Sequence, residues 1–164
     1  MPFTLVLGGA RSGKSRHAES LLEAHPTRLY IATAQPFDDE MRTRIAAHQS
    51  ARQGWQTIEA PIDLATPLQA NPATPALVDC LTLWLTNLIL ADQDLPKAIA
   101  ALDQALIARI AETVLVSNEV GLGIVPDNAL SRRFRDEAGR LHQHLAAHAA
   151  SVLLLVAGIP LRIK

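Results

Sequence analysis

The plainest chemical signal in the chain lies in eight consecutive residues. Gly8 to Ser15 read G-G-A-R-S-G-K-S, directly after the apolar run Phe3–Leu7. Gly8, Gly13, Lys14 and Ser15 match the pattern G-x-x-x-x-G-K-[ST]. Glycines at these places permit a tight turn whose backbone N–H groups point into a concavity that fits phosphate oxygens. A helix starting at Lys14 adds the positive end of its dipole. Lys14 would neutralise the β- and γ-phosphates of a nucleotide, and Ser15 would ligate Mg²⁺. Gly9, Ala10, Arg11 and Ser12 complete the loop and belong to the same expected nucleotide-binding set. The bland alternative is a glycine-rich turn with an accidental Lys-Ser. A strand before the motif and a helix after it argue against that.

A site of this kind also needs an acid at the end of another strand, to hold a metal-bound water. Asp79 closes the run Ala76-Leu77-Val78 and fits that place. It fits equally as a cap for the helix that begins at Leu81, and the two roles are compatible. Cys80 beside it reads as a small buried packing residue. A guanine-reading N/T-K-x-D sequence occurs nowhere. That excludes a Ras-type switch GTPase without excluding GTP.

His48 stands out among the six histidines by its company. Arg44 lies one turn before it and Arg52 one turn after it, Gln49 is adjacent and Glu59 is downstream. Two guanidiniums favour the neutral imidazole. A neutral imidazole is a nucleophile, and flanking cations suit a phosphoryl or nucleotidyl substrate. Spacing alone leaves open a helix histidine packed beside Met41 and Ile45. His142, His144 and His148 lie on one long helix, where His144 and His148 have the i, i+4 spacing of a metal pair. No carboxylate accompanies them in a recognisable motif, so a solvated face is expected. His17 and His25 flank the first helix without evident partners.

The elements that must position these residues follow from periodicity. Short apolar runs read as strands at Phe3–Leu7, Leu29–Thr33, Ala76–Asp79, Val114–Ser117 and Val152–Ala157, with a possible sixth at Ile159–Lys164. Trp55–Glu59 reads as a short extended piece. Helices are expected over Lys14–Ala24, Asp38 to about Arg52, Leu81–Leu90, Pro96 to about Ala111, and Asn128–Ala150. Ile62–Pro75 holds Pro67, Pro72 and Pro75 and reads as a loop with room for one helical turn. Gly121–Pro126 reads as an irregular loop. Continuous apolar strands alternating with helices indicate an α/β three-layer fold of the P-loop nucleotide-binding type, with a mostly parallel sheet covered on both faces. At 164 residues, one domain spanning 1–164 is expected.

Composition narrows the partners. The apolar fraction is 49% against 4% aromatic, so the core must be aliphatic. A formal net charge of −1 argues against nucleic acid or an anionic membrane as the main partner, since both demand a basic excess. Cys80 is the single cysteine, which excludes an intrachain disulfide and a cysteine-rich zinc site. The N-terminus lacks a basic secretory n-region, and no apolar stretch approaches the roughly 20 residues needed to span a bilayer. A soluble, cytoplasmic chain is expected.

Longer motifs carry a family resemblance. They are G-G-A-R-S-G-K-S-R-H-A-E (Gly8–Glu19), Y-I-A-T-A-Q (Tyr30–Gln35), D-D-E-M-x-x-R-I-x-x-H (Asp38–His48) and V-D-C-L-T-L-W-L-T-N-L (Val78–Leu88). S-N-E-V-G-x-G-I-V-P-x-N (Ser117–Asn128), R-R-F-R-D-x-A-G-R-x-x-Q (Arg132–Gln143) and the final G-I-P-L-R-I-K extend the match over nearly the whole chain. The sequence resembles the bifunctional adenosylcobinamide kinase / adenosylcobinamide-phosphate guanylyltransferases of cobalamin biosynthesis. The resemblance implies phosphorylation of adenosylcobinamide by ATP or GTP. It then implies transfer of GMP from GTP to adenosylcobinamide phosphate through a guanylylated histidine, which falls on His48. Implied nucleotide contacts fall on Gly8–Ser15, on Ala32, Thr33 and Ala34, on Gln49, Ser50, Ala51 and Arg52, on Glu59 and on Asp79. Ser15 and Asp79 are the expected Mg²⁺ ligands. A homotrimer is implied as well. One departure is Arg52-Gln53-Gly54-Trp55, which lacks the Pro that the family often carries before the Trp.

Two other functions compete with this one. A plain P-loop small-molecule kinase would leave His48 structural. A non-catalytic nucleotide-binding module would need neither the Ser15–Asp79 pair nor a cation-flanked histidine.

Overall fold

Aliphatic runs without polar alternation can satisfy both faces only inside a sheet covered on both sides, and that is where they lie. The computed structural model describes residues 3–35 and 54–164. Seven strands form one sheet: β1 (Phe3–Gly8), β2 (Arg28–Ala32), β3 (Trp55–Glu59), β4 (Ala76–Asp79), β5 (Thr113–Asn118), β6 (Ser151–Val156) and β7 (Ile159–Arg162). Their spatial order is β3-β2-β4-β5-β1-β6-β7. Every pairing is parallel except β6 with β7, which is an antiparallel hairpin. The helices are α1 (Lys14–Ser20), α2 (Ala65–Ala70), α3 (Leu81–Leu90), α4 (Leu95–Ala108) and α5 (Ala129–His148).

Side chains of a strand alternate between faces, and here both faces are buried. Phe3, Leu5 and Leu7 of β1 join Val78 and Leu115 under α3, α4 and α5, represented by Leu85, Leu102 and Leu141. Val6, Leu77, Val114 and Val116 face the other way, against Ala18 and Leu22 of the α1 region. The result is the three-layer α/β arrangement expected from the sequence.

The structure bears out several minor expectations and sharpens their extent. Trp55–Glu59 is a full strand at the sheet edge, paired with β2 from Arg28↔Trp55 to Ala32↔Glu59. Ile159–Arg162 pairs back on β6, because Ala157 and Gly158 make a two-residue reversal. The first helix ends at Ser20, and the chain continues to His25 through tighter i→i+3 bonds, such as Leu22 N–H to Glu19 O at 3.1 Å. The proline-rich stretch contains α2, which tolerates Pro67 because its first-turn N–H would have no intrahelical partner. Asp63 caps that turn: its carboxylate accepts from Thr66 N–H at 3.0 Å and from the Thr66 hydroxyl at 2.6 Å, and these bonds lower its pKa. The helix expected over Asp38 to Arg52 lies outside the described residues.

Helix starts follow sequence rules. Asp94 accepts from Lys97 N–H with Pro96 in the first turn of α4, and Asn128 accepts from Ser131 N–H at the start of α5. Lys164 Nζ donates to the Ala146 and Ala147 carbonyls in the last turn of α5, placing a cation at the negative helix end. The proline-rich loop before β4 is held by one buried guanidinium. Arg109 donates to Thr113 Oγ1 at 2.6 Å, to the Leu68 carbonyl at 3.0 Å, to the Asn71 carbonyl at 2.9 Å, and to the Thr74 carbonyl. Burial lowers its pKa to about 10.

Candidate active site

In a parallel sheet the strand ends that follow the chain direction gather on one edge, and ligands bind there. The Gly8–Ser15 loop leaves the end of β1. Ala32, Thr33 and Ala34 stand at the end of β2, Glu59 at the end of β3, and Asp79 at the end of β4. Asn118 and Glu119 stand at the end of β5. All the sequence-predicted site residues within the described residues therefore share one edge. They are not all close together. β4 lies two strands from β1, about 10 Å, and β3 lies four strands away, about 19 Å. Glu59 is therefore well separated from the phosphate loop along this edge. His48, Gln49, Ser50, Ala51 and Arg52 lie outside the described residues.

The phosphate loop closes on itself. Ser12 N–H donates to the Gly9 carbonyl at 3.3 Å, and Lys14 Nζ reaches the same oxygen at 3.3 Å. Gly13 adopts φ 89° ahead of α1, a conformation disfavoured for any residue with a Cβ. The first amides of α1 have no intrahelical acceptor and remain for a ligand. Ser12 is 8% exposed, and its Oγ has no protein partner among the described residues. A buried hydroxyl without a partner calls for one, and a phosphate oxygen held in this loop would supply it.

Asp79 accepts from the Tyr30 hydroxyl at 2.5 Å, which fixes one carboxylate oxygen and leaves the other for a ligand. Mg²⁺ keeps several waters and needs only one or two protein oxygens beside the substrate phosphates. Ser15 and Asp79 each offer one oxygen of that kind on the same sheet edge. Among the described residues no three His, Cys, Asp or Glu side chains gather into a metal cage.

Thr33 is fully buried. Its Oγ1 accepts from Cys80 N–H at 2.7 Å and donates to the Cys80 carbonyl at 2.8 Å, while its N–H donates to the Asp79 carbonyl at 3.0 Å. Asn87 Nδ2 donates to the Thr33 carbonyl at 2.8 Å and to the Pro61 carbonyl at 2.9 Å. This latch ties the ends of β2 and β4 to α3, so the Thr33 hydroxyl is committed to the protein. Cys80 is buried beside Thr82, with Sγ to Oγ1 at 2.8 Å, as a packing residue would be.

Some site-edge residues escape sequence reasoning. Asn118 pairs with Gly8 and donates to Thr82 Oγ1 at 3.1 Å, bridging the phosphate loop to the start of α3. Glu119 N–H donates to the Gly8 carbonyl at 3.0 Å. The rule that singled out Asp79, a polar residue ending an apolar strand, also marks Asn118 and Glu119.

Of the three α5 histidines expected on a solvated face, His148 is exposed, His144 is partly exposed and paired, and His142 is buried. His142 is buried, hydrogen-bonded to Ser117 at 2.7 Å, with Glu119 at 3.7 Å from its other ring nitrogen. His144 bonds Asp103 of α4 at 2.7 Å. His25 pairs with Glu112 at 2.9 Å. These carboxylates lie far away in sequence, so no local motif reveals them.

A mostly parallel sheet with a G-x-x-x-x-G-K-[ST] loop at the end of β1 defines a P-loop nucleotide-binding protein. The same architecture, at 11% identity, recurs in an ATPase of the type III secretion system of pathogenic bacteria, with a TM-score of 0.56 over 94% of this chain and 51% of that one. The chain belongs to the cobinamide kinase / cobinamide phosphate guanyltransferase family, which it matches over residues 4–163. It is 49% identical to the bifunctional adenosylcobalamin biosynthesis protein CobP of Pseudomonas aeruginosa, over 98% of this chain and 96% of that protein. It is 46% identical to the corresponding protein CobU of Escherichia coli and 47% identical to that of Salmonella typhimurium, each over 98% of both chains.

The buried His142 makes stability depend on pH. Burial lowers its pKa from 6.5, and Glu119 opposes that in part. As pH falls below about 6.5 the unfolded chain takes up a proton that the folded chain refuses, so stability is lost until the lower folded value is passed. In urea titrations from pH 7.5 to 5, His142→Gln should lose less stability than the parent chain, the difference reaching at most about 1.4 kcal/mol per pH unit. Parallel curves would refute this assignment.

Proposed function

We propose that the chain phosphorylates adenosylcobinamide and then guanylylates the product at the C-terminal edge of its sheet, with the phosphate loop serving both steps. The carrying observation is the Gly8–Ser15 loop at the end of β1, in a chain that matches the kinase / guanyltransferase family over residues 4–163. In the first reaction a hydroxyl oxygen of adenosylcobinamide attacks the γ-phosphorus of ATP or GTP. The bond to the β-phosphate oxygen breaks and a nucleoside diphosphate leaves. In the second, a ring nitrogen of His48 attacks the α-phosphorus of GTP and pyrophosphate leaves. A phosphate oxygen of adenosylcobinamide phosphate then attacks the histidine-bound GMP, which frees His48 and gives adenosylcobinamide-GDP. Dividing the transfer into two displacements lets one site serve two large substrates in turn.

In this reading Lys14 neutralises the β- and γ-phosphates, and the loop amides and the Ser12 hydroxyl hold their oxygens. Ser15 and Asp79 would hold Mg²⁺, which supplies charge neutralisation to the triphosphate. We read Glu59 as a contact to a different part of the ligands from the phosphates, a reading supported by the separation of about 19 Å between the β1 and β3 ends. Ala32 and Ala34 line the edge between, with Thr33 acting through its buried latch. Gln49 to Arg52 follow His48 in sequence and are assigned to the guanylylated nucleotide. The plain-kinase alternative differs in a single observable, the absence of a covalent GMP adduct.

The substrates are small molecules, and neither nucleic acid nor a membrane span enters the reading. No helix among the described residues is long and apolar enough to cross a membrane. We place the chain in the cytoplasm, where the nucleotides are, as one catalytic domain assembled into a homotrimer. The aliphatic residues of α3 give that assembly little support, since most are buried within the chain and only Leu83 and Leu90 emerge. Leu122, Ile124 and Val125 beyond β5, and Ile159, Leu161 and Ile163 around β7, are the exposed apolar groups that subunits could cover.

Two outcomes follow. Lys14→Ala should abolish both γ-phosphoryl transfer and guanylylation, each falling by at least about a hundredfold. Guanylylation that survives in Lys14→Ala would show that the phosphate loop serves only the kinase. Light scattering at micromolar concentration should give three times the 17.7 kDa chain mass. A mass near 17.7 kDa would contradict the assembly.

A further inference from the structure

The turn between β6 and β7 touches the phosphate loop, and nothing in the two reactions accounts for it. β6 pairs in parallel with β1, with Gly8 opposite Leu155. Where β1 gives way to the phosphate loop, β6 therefore runs on beside it through Val156 to Ala157 and Gly158. Both turn residues are left-handed, with φ 52° and 81°, the two-residue reversal whose twist suits a hairpin. It presents the Gly158 N–H to the Ser12 carbonyl at 2.9 Å. The approach is tight: a Cβ on Gly13 would come within 3.2 Å of Gly158 Cα.

In a trans peptide the carbonyl and the following N–H point in opposite directions. The only cis peptide among the described residues is Asp79–Cys80, so the Ser12–Gly13 bond is trans. A Ser12 carbonyl held toward the hairpin turns the Gly13 N–H away from it, to the ligand side of the loop. We infer that the β6–β7 turn sets the orientation of the Ser12–Gly13 peptide, and that Gly158 is thereby a positioning residue for nucleotide phosphates in both reactions. The inference rests on the phosphate-loop reading. It makes the β6–β7 hairpin part of the nucleotide site through a backbone contact.

A side chain at Gly158 would meet no atom within 4 Å, so substitutions there act through the backbone. Valine cannot adopt φ 81° without large strain, whereas asparagine tolerates it and keeps the N–H. Fluorescent ATP and GTP analogues report affinity, thermal melting reports stability, and turnover is measured at saturating nucleotide. Gly158→Val should weaken both nucleotides roughly three- to tenfold, the worth of one net hydrogen bond, with kcat largely kept. Gly158→Asn should restore affinity. Val152→Ala, a buried change at the far end of β6, should lower Tm without weakening binding. Unchanged affinity in Gly158→Val overturns the inference, as does an equal loss in Val152→Ala at equal Tm. If Gly158→Val does not fold, amide exchange in the unaltered chain decides: a slow Gly158 N–H, slowed further by GTP, supports the inference, and fast exchange in both states overturns it. Lys14→Ala separates the two failures. Binding lost in Lys14→Ala but intact in Gly158→Val refutes positioning alone, whereas binding intact in Lys14→Ala refutes the phosphate-loop reading itself.

Discussion

A loop that offers its N–H groups to phosphate must send its carbonyls elsewhere, and each of those carbonyls needs a donor. That constraint organises the molecule. The Gly8 carbonyl takes the Glu119 N–H from beyond β5, Gly9 takes Ser12 N–H and Lys14 Nζ, Ser12 takes the Gly158 N–H, and Gly13 takes the His17 N–H of α1. Two of these donors come from segments more than a hundred residues away. They arrive only because β5 and β6 flank β1 in parallel register, with Asn118 and Leu155 opposite Gly8. The sheet is thus what keeps an eight-residue motif in its binding shape, and the motif alone would not hold it.

The same parallel register gathers the remaining chemistry. Because β1, β2, β3, β4 and β5 run in one direction, their last residues share an edge, and a line of polar groups runs along it from Lys14 past Asn118 and Asp79 to Glu59. The line is longer than one phosphate group, which suits a protein that handles a triphosphate and a second large substrate. The Thr33–Cys80–Asn87 latch and the Tyr30–Asp79 bond fix the middle of this edge from below. Arg109 immobilises the loop that delivers β4. Buried polar groups with every partner in place give such an edge one geometry instead of several.

What could be read in the sequence and what could not divides along range. The phosphate loop is contiguous, and its backbone requirements are written in glycines, so Gly8–Ser15 was legible in full. The place of Asp79 at the end of β4 was legible because the apolar run Ala76-Leu77-Val78 stops at it. His142 was misjudged because its partners, Ser117 and Glu119, lie more than twenty residues away on a strand that only the fold brings alongside α5. The β6–β7 hairpin was ambiguous because its reversal uses Ala157 in a left-handed conformation that alanine seldom signals. The turn allowed in Ile62–Pro75 proved to be α2, whose extent Pro67 obscured, since a proline in the first helical turn looks the same in sequence as one in a loop. The apolar run Leu81–Leu90 reads as a helix, but only the fold shows that the sheet, α4 and α5 cover most of it. Single-sequence patterns record what a segment can bury and leave open what it is buried against.

The central claim is that GMP passes through His48. Incubation with GTP labelled at the α-phosphorus tests it most directly, comparing the parent chain with His48→Asn, which keeps size and hydrogen bonding but removes the nucleophile. The account predicts an acid-labile covalent label on the parent chain and none on His48→Asn, with phosphorylation of adenosylcobinamide largely retained because Gly8–Ser15 and Asp79 are untouched. A label that persists on His48→Asn would place the nucleophile elsewhere and contradict the account.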